Sequence, residues 1–420
     1  MKSASILYFI RFPIQCIIET IHIKGVFIMS SAKTKNLTPI YAFIQGLYWM
    51  NFAAIMGYSG FYLLGSGFSN TEIGIIIAIA GILSAVLQPV LASYADRPES
   101  PSLKKFLQLL LVLQLILGIA LLFCKSILLT GVVYGCGVTL LQLLTPFINS
   151  LGMESINQGQ TLNFGIARGM GSVAYAALSY VLGIITSRTG ITAVPVCIMI
   201  VTLILMGCLA LFPFTKSSSV PTKDNGKEKT SNPLQFFRKY KRFTIVLTGC
   251  ILIYLGHVLL NSFTFQIVQS KGGGSSEMGT ATAIAAMSEL PTLFLFGYML
   301  KKARCDTWFR LTGIFFTLKS LGSLLAPNMT VFYGIQIFQM LGWGLMAAAS
   351  VYYVNSIMDT EDAIKGQAYI TMTYTLGSVI GAFLGGALID FSGVNTMLLF
   401  ATISAAAGAV IIFFGAEKTA

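Results

Sequence analysis

Twelve long apolar runs, separated by short polar or charged breaks, follow one another along the chain. The runs cover residues 38–64, 71–94, 104–124, 126–151, 161–187, 191–213, 243–270, 277–300, 307–326, 329–357, 366–390 and 394–415. A helix needs about 20 apolar residues to cross the hydrocarbon core of a bilayer. The pattern therefore predicts an all-α integral membrane protein with twelve transmembrane helices.

The composition agrees with this pattern. Of the 420 residues, 55% are hydrophobic and only 10% are charged, and the mean hydropathy is +0.79. Soluble domains carry about 25% charged residues, so a soluble protein is excluded. The lipid bilayer is thus the first partner that the sequence implies.

Basic residues gather in alternate breaks and indicate the orientation, because cytoplasmic loops near span ends collect lysine and arginine. With the N-terminus inside, the inside segments hold Lys33, Lys35, Arg97, Lys104, Lys105, eight residues from Lys216 to Arg242, Lys301, Lys302, Arg304, Arg310, Lys365 and Lys418. The outside loops hold Lys125, Arg188 and Lys271. We expect a multi-pass protein of the cytoplasmic membrane with both termini inside. The net charge of +12 needs no nucleic-acid partner to explain it.

The longest polar stretch, Lys216 to Asn232, separates the sixth run from the seventh and is predicted to be an interdomain linker. We expect a cytoplasmic or interfacial segment over 1–37, a six-helix bundle over 38–213, a cytoplasmic linker over 214–242, a second six-helix bundle over 243–415 and a cytoplasmic tail over 416–420. Residues 1–28 have two interpretations. They form a short interfacial helix, or they precede the usual initiator, Met29.

Two short motifs recur at nearly one spacing. Thr71-Glu72-Ile73-Gly74 returns as Ser276-Glu277-Met278-Gly279 at an offset of 205 residues. Gly171-Ser172-Val173 returns as Gly377-Ser378-Val379 at an offset of 206. The shared offset predicts two pseudo-symmetric halves of six helices each. Internal repeats of this kind are typical of secondary transporters, whose halves rock about a site near the membrane midplane.

Four ionisable side chains lie in or at the edge of the apolar runs: Glu154, Arg168, Glu289 and Lys319. A charge at the middle of a bilayer costs at least ~2.5 kcal/mol, so such residues usually face a water-filled path and pair with one another. Glu289 is twelve residues from both Glu277 and Lys301, and so lies near the midplane. A carboxyl group that is neutral or charged according to its neighbours suits proton coupling. We expect an ion pair between Glu289 and Lys319 that breaks when Glu289 takes a proton.

Arg168 lies about seven residues into the fifth run, roughly 10 Å from its inside end. Gly171, Ser172 and Tyr175 follow on the same helix face. The forked guanidinium suits hydroxyl pairs or carboxylates, and the ring suits stacking. We expect Glu154 to partner Arg168, provided that the fourth helix extends to Asn157.

A loop motif resembles that of the major facilitator superfamily. The residues are Ala92-Ser93-Tyr94-Ala95-Asp96-Arg97, followed by Lys104-Lys105. The resemblance implies that Asp96 and Arg97 help to gate the inside face. Two departures are Ala92, where the family usually has glycine, and a proline-containing insertion.

Within that superfamily, the segment 164–171 is similar to the fifth-span signature of the bacterial lactose permease and its oligosaccharide and phenylpropionate relatives. The similarity implies that Glu154 and Arg168 bind substrate, that Tyr175 replaces a sugar-stacking tryptophan, and that Lys319 replaces a ninth-span arginine. It departs in the tenth span, where Gln339-Met340-Leu341-Gly342-Trp343 lacks the histidine and the proton-carrying carboxylate. We assign Gln339 to substrate hydrogen bonding. Further polar candidates are Gln266, Asn261, His257, Tyr254 and Asn355.

The sequence thus predicts a monomeric secondary active transporter for a small polar solute, a saccharide or a related compound, driven by proton symport. One rival is an efflux or aromatic-acid carrier of the same superfamily, and another is a membrane sensor or scaffold that does not transport. We expect no enzymatic activity and no cofactor. A metal site is not expected either, since the only histidines, His22 and His257, are far apart in sequence.

Overall fold

The computed structural model describes residues 36–95, 97, 99–214 and 233–419. The helices of the first half are α1 (Thr38–Phe52), α2 (Ser59–Gly65), α3 (Asn70–Ala95), α4 (Leu103–Phe123), α5 (Ile127–Asn157), α6 (Phe164–Thr189) and α7 (Ala193–Leu211). Those of the second half are α8 (Pro233–Lys239), α9 (Lys241–Ser262), α10 (Thr264–Ser270), α11 (Ser275–Met299), α12 (Cys305–Leu325), α13 (Met329–Gln336), α14 (Leu345–Ile357) and α15 (Thr360–Gly415). Nearly all of the predicted N-terminal segment and most of the predicted linker lie outside the described residues.

The helices confirm the predicted all-α membrane fold. Nine helices of the described chain are long and apolar enough to cross a bilayer. The first predicted run is interrupted, since a π-helical segment, Ala53–Gly57, separates α1 from α2. Two predicted runs are joined in α15, whose backbone turns at Gly393 with φ 82°, a conformation that glycine adopts readily. The count of twelve crossings and the bounds of the two bundles stay predictions.

The first repeated motif marks two equivalent helix starts. The backbone N–H of Ser69 donates to Glu72 Oε2 over 2.8 Å at the start of α3. The backbone N–H of Gly274 donates to Glu277 Oε2 over 2.8 Å at the start of α11. A glutamate at the third helical position satisfies an N–H that the helix itself leaves unpaired. The repeat therefore reflects one capping arrangement used in both halves.

The glycine that ends each repeat lies at a contact between the halves. A Cβ on Gly74 of α3 would lie 2.2 Å from the carbonyl oxygen of Ala382 in α15. A Cβ on Gly279 of α11 would lie 2.3 Å from the carbonyl oxygen of Ser179 in α6. Only glycine permits these approaches, as at the interfaces of membrane helices in general. Each half thus supplies one helix to each of two close pairs, α3 with α15 and α11 with α6, at the predicted outside end of the contact.

A carboxylate from the second half caps a helix of the first at this same end. Asp390 of α15 accepts hydrogen bonds from the backbone N–H groups of Asn70 and Thr71 over 3.2 and 2.7 Å. It also accepts from their side chains over 2.8 and 2.6 Å. These N–H groups lie in the first turn of α3, where a negative charge is favourable. Asp390 therefore joins the halves through bonds that can break without unfolding either helix.

Among the described residues, one hydrophobic cluster combines side chains of both halves, and it lies near this contact. The larger apolar cluster combines first-half residues with Phe265, Val268 and Met278 of the second half, all near the predicted outside end. The smaller cluster contains second-half residues, among them Phe236 and Met358 near the predicted inside end. The halves therefore share their core towards the predicted outside end.

We expect Gly279→Ala to lower the melting temperature of the detergent-purified protein, because the added Cβ meets backbone that cannot move aside independently. Gly297→Ala is the matched control on the same helix, since nothing lies within 4 Å of its Cβ position. The control substitution should leave the melting temperature unchanged or raise it, as alanine favours helix by about 1 kcal/mol. Equal melting temperatures for the two variants would contradict the close contact.

Candidate functional site

A cavity of about 200 Å³ lies between the halves and is lined by residues of both. The first half contributes α1, the π-helical segment after it, and α6. The second half contributes α9, α10, α11, α13, the segment between α13 and α14, and α15. Arg168 and Glu289 both line this cavity. Their meeting in one cavity is the arrangement that the transporter interpretation requires.

Arg168 of α6 lies over the ring of Trp49 in α1, with its guanidinium carbon 4.0 Å from the ring centroid. A cation over an indole face is attracted by the negative charge of that face. Gly171, one turn further along α6, leaves room for this ring, because a Cβ there would lie 2.4 Å from Trp49 Cδ1. The side chain of Trp49 therefore occupies the space that Gly171 leaves beside Arg168.

Tyr175 lines the cavity on the same face of α6 as Arg168. Its hydroxyl lies 3.2 Å from the position of a Cβ on Gly57, in the π-helical segment Ala53–Gly57. A second π-helical segment, Met340–Gly344, contributes Trp343 to the opposite side of the cavity. π-Helical segments are rare and are frequent at functional sites. Both such segments of the described chain line this one cavity.

The second repeated motif also has equivalent positions in the two halves. Ser172 of α6 and Ser378 of α15 both line the cavity. Gly171 packs against Trp49 of α1, and Gly377 packs against Tyr254 of α9, where a Cβ would lie 2.9 Å from the tyrosine Cβ. Each glycine thus brings a cavity helix close to the first long helix of its own half.

Glu289, Gln339 and Lys319 form a chain of hydrogen bonds beside the cavity. Lys319 Nζ donates to Gln339 Oε1 over 2.5 Å. Gln339 Nε2 donates to Glu289 Oε1 over 2.9 Å. Lys319 and Gln339 are 4% and 5% exposed, so the ammonium group depends on this acceptor. The expected direct ion pair between Glu289 and Lys319 is wrong, because the amide of Gln339 occupies the space between them.

Two contacts position Glu289 against the segment that carries Gln339. A Cβ on Gly344 would lie 3.2 Å from the Cα of Glu289, so the missing side chain permits close packing. One turn along α11, Thr292 Oγ1 donates to the carbonyl oxygen of Met340 over 3.0 Å. The hydrogen-bonded chain therefore lies on two packed helical segments, which hold its geometry.

Aromatic rings form the wall of the cavity in the second half. The rings of His257 and Trp343 are stacked, with centroids 4.7 Å apart and planes inclined by 10°. Asn261 Nδ2 lies 2.7 Å from His257 Nε2. Tyr374 lies at 5.4 Å from Trp343, ring centroid to ring centroid, and also lines the cavity. This wall of the cavity thus combines flat apolar ring faces with polar groups at the ring edges.

The remaining predicted site residues lie elsewhere. Glu154 is half-buried, does not line the cavity, and accepts a hydrogen bond from Gln158 Nε2 over 3.2 Å. The fourth predicted span does extend to Asn157, yet among the described residues no carboxylate lies within ion-pair distance of Arg168. Arg97 lies near the ring of Tyr94, with its guanidinium carbon 5.9 Å from the centroid. Asp96 lies outside the described residues, and the gating role of both residues stays a prediction.

The further polar candidates are divided in the same way. Asn261 and His257 line the cavity, whereas Gln266 donates to Asn70 Oδ1 over 2.9 Å at the contact between the halves. Tyr254 packs edge-on against Trp343 with centroids 6.0 Å apart, and Asn355 is exposed.

Trp49 is the main site residue that the sequence analysis missed. The chain has three tryptophans, and two of them, Trp49 and Trp343, line the cavity. Within the described chain, the indole Nε1 of Trp49 is buried and has no hydrogen-bond partner. The rarity of tryptophan in the apolar runs is a signal that could have found both positions, although Trp308 shares it and does not line the cavity.

Comparison with known families agrees with this architecture. The model of the MFS_1 like family matches residues 41–400. The chain belongs to this family, which confirms the resemblance to the major facilitator superfamily. Its family and fold are those of a multi-pass membrane transporter for a small-molecule substrate. No curated protein matches the chain in sequence.

Solved structures share the fold at low sequence identity. The crystal structure of nucleoside transporter NupG is similar with a TM-score of 0.73 at 14% identity, over 90% of this chain and 96% of that chain. The structure of a bacterial metal transporter is similar with a TM-score of 0.66 at 10% identity, over 92% and 100%. A bacterial homolog to human lysosomal transporter Spinster, in an inward-facing and occupied conformation, gives 0.60 at 14% identity, over 90% and 94%. These identities show the fold alone.

We expect Gln339→Leu to destabilise the protein by about 1.5–3 kcal/mol, because it removes the acceptor of the buried Lys319 ammonium. Gln336→Leu is the matched control, since Gln336 also lines the cavity but donates to a backbone carbonyl, that of Phe332. The measurement is thermal unfolding in detergent at constant pH. A smaller loss of stability for Gln339→Leu than for the control would contradict the bridging role.

Proposed function

We propose that the protein is a proton-coupled symporter of the cytoplasmic membrane that imports a small, hydroxylated, ring-shaped solute, a saccharide or a related compound, as a monomer with both termini inside. The observation that carries the proposal is the single cavity between the halves, lined by Arg168 and Tyr175 on one side and by Glu289 and Gln339 on the other. Sites that close by rocking of two halves are lined by both halves.

The lining chemistry supports such a solute. Trp49, Tyr175 and Trp343 offer ring faces, against which the apolar face of a sugar or a base can stack. The unpartnered Nε1 of Trp49 and the guanidinium of Arg168 offer donors to hydroxyl oxygens. Asn261 and Gln336 add amide groups at the opposite wall. A few polar groups among aromatic rings is the usual composition of a small-molecule site.

Nucleosides are a second candidate class within this proposal. They carry both a hydroxylated sugar and a flat base, and the stacked pair of His257 and Trp343 supplies a flat surface of matching shape. The similar fold of nucleoside transporter NupG agrees with this class, but a shared fold does not distinguish nucleosides from sugars. A third class, the aromatic acids, would use Arg168 to bind a carboxylate.

The contact between the halves supports alternating access. Asp390 bonds to the first turn of α3, and Gly279 lies against α6, both at the predicted outside end. In the proposed cycle these contacts close the outside while the cavity faces the cytoplasm. Their release then opens the cavity to the outside. Hydrogen bonds and small-residue contacts suit such an interface because neither half must unfold.

Glu289 supports proton coupling. It is the only acidic residue that lines the cavity among those described, and it is hydrogen-bonded to Gln339. Proton uptake by Glu289 changes the charge of the cavity wall by one unit beside the substrate position. In the proposed mechanism, substrate and proton therefore bind to the same conformation and move together.

Counterflow in proteoliposomes tests the substrate class. The panel contains sugars, glycosides, nucleosides and aromatic acids. Vesicles are loaded with one compound of the panel, and the exchange of that compound with its labelled form across the membrane is measured. We expect a glycoside, sugar or nucleoside to exchange, and Arg168→Lys to slow that exchange at least about tenfold, because an ammonium cannot replace forked donors. Exchange of aromatic acids alone would replace the proposed class with the rival carrier. Exchange of no compound would favour the sensor or scaffold.

A second experiment tests the coupling. Glu289→Gln should abolish accumulation driven by a proton gradient while leaving counterflow measurable, since exchange requires no net proton movement. Glu277→Gln is the matched control on the same helix, because glutamine retains the helix cap. Full accumulation by Glu289→Gln would show that another group carries the proton.

A further inference from the structure

A basic groove lies at the end of the second half opposite the Asp390 contact. It is lined by the start of α9, the end of α15, and residues of α8 and α12. Six of its lining residues are basic, namely Arg238, Lys239, Lys241, Arg242, Arg310 and Lys418. Its single acidic lining residue is Glu417. The groove therefore concentrates positive charge at one membrane face.

Two of the basic residues already have anionic or carbonyl partners. Lys239 Nζ lies 2.8 Å from Asp359 Oδ2 and 2.7 Å from Asp362 Oδ2. These hydrogen bonds hold the pKa of both carboxyl groups below the usual value. Arg310 donates to the carbonyl oxygen of Ala416 over 2.6 Å and lies 3.5 Å from Asp306 Oδ2. Lys239 and Arg310 are thus already bonded within the protein and form part of the groove wall.

The other four basic residues are available to a ligand. Arg238, Lys241, Arg242 and Lys418 are exposed. Within the described ranges, no carboxylate lies within the 4.0 Å ion-pair limit of any of them. Four basic side chains without an ion pair around one groove attract an anionic group with several acceptor oxygens, such as a phosphodiester.

An apolar surface adjoins the groove on its membrane side. Phe413 and Phe414 line the groove and are 47% and 78% exposed. Ile245, one turn beyond Lys241 and Arg242 on α9, is 53% exposed and lies against Gly415, with 3.3 Å from its Cγ2 to a Cβ position there. A free phosphate ion would make no contact with this apolar surface, because it has no hydrocarbon part. A phospholipid would place its phosphate among the cations and its acyl chains on these side chains.

We infer that this groove binds the headgroup of an anionic phospholipid from the adjacent leaflet. The proposed contacts are Arg238, Lys241, Arg242 and Lys418 to the phosphate, with Phe413, Phe414 and Ile245 against the acyl chains. Basic pockets at the membrane surface recognise lipid headgroups by this combination of charge and burial.

The test is a titration of the detergent-purified full chain with phosphatidylglycerol or phosphatidylcholine, followed by native mass spectrometry. The variant is Arg238→Gln with Lys241→Gln and Arg242→Gln. The matched control is Lys105→Gln with Lys301→Gln and Lys302→Gln, which removes the same charge from exposed residues of the same membrane face. We expect the wild-type chain to prefer phosphatidylglycerol, the groove variant to bind it at least about tenfold more weakly, and the control variant to bind it normally.

Three results would overturn the proposal. They are equal affinity of the wild-type chain for both lipids, equal loss in the two triple variants, and displacement of the lipid by inorganic phosphate at comparable concentration. Salt dependence gives an independent measurement on the unmodified chain. Raising the salt from 0.1 to 0.5 M should weaken phosphatidylglycerol binding and leave phosphatidylcholine binding unchanged, because the salt screens the charges.

Discussion

The close crossing of helices from the two halves is the constraint on which the rest of the structure depends. Gly74 and Gly279, the final residues of the repeated motif, bring α3 against α15 and α11 against α6 almost backbone to backbone. Further along α6, α11 and α15 from these contacts, residues that include Tyr175, Ala285 and Ser378 line the cavity. The lining of the cavity thus comes from helices of both halves.

The second constraint is the cost of charge inside an apolar bundle. Each of the three buried charged side chains at the cavity contacts a neutral group and not an opposite charge. Arg168 lies over the ring of Trp49, and both Lys319 and Glu289 bond to the amide of Gln339. A direct buried ion pair is not required for stability, because desolvation offsets much of its attraction. An indole ring and an amide thus stabilise the three charges without neutralising them, and Arg168 and Glu289 still line the cavity.

The sequence could predict features that depend on one helix or on the repeat. The apolar runs predicted the helices. The motif that ends in Gly74 and again in Gly279 predicted which positions of the two halves are equivalent. The depth of Glu289 followed from counting residues along one span, and the face shared by Arg168 and Tyr175 followed from helical periodicity. Both residues do line the cavity, although their roles have not been tested.

The sequence could not predict contacts that depend on how helices rotate against one another. Glu154 is close to Arg168 along the chain, but its helix turns the carboxylate towards Gln158. Gln339 was assigned to the substrate, whereas the packing of Gly344 against Glu289 brings its amide between a carboxylate and an ammonium group. No periodicity within α11 or α12 encodes that bridge, because a third segment supplies it.

The bridge changes how proton uptake by Glu289 would act. In a direct ion pair, a protonated glutamate would leave the buried Lys319 ammonium without an acceptor. Here Lys319 donates to Gln339 whatever the charge of Glu289, and a protonated carboxyl group keeps a carbonyl oxygen that can accept from Gln339. The hydrogen-bonded geometry therefore survives protonation, and what changes is the net charge beside Arg168. An uncompensated positive charge is less costly where water reaches it than in a closed cavity. Proton uptake without substrate would thus hold the cavity open, and the substrate would have to exclude water before the halves could close.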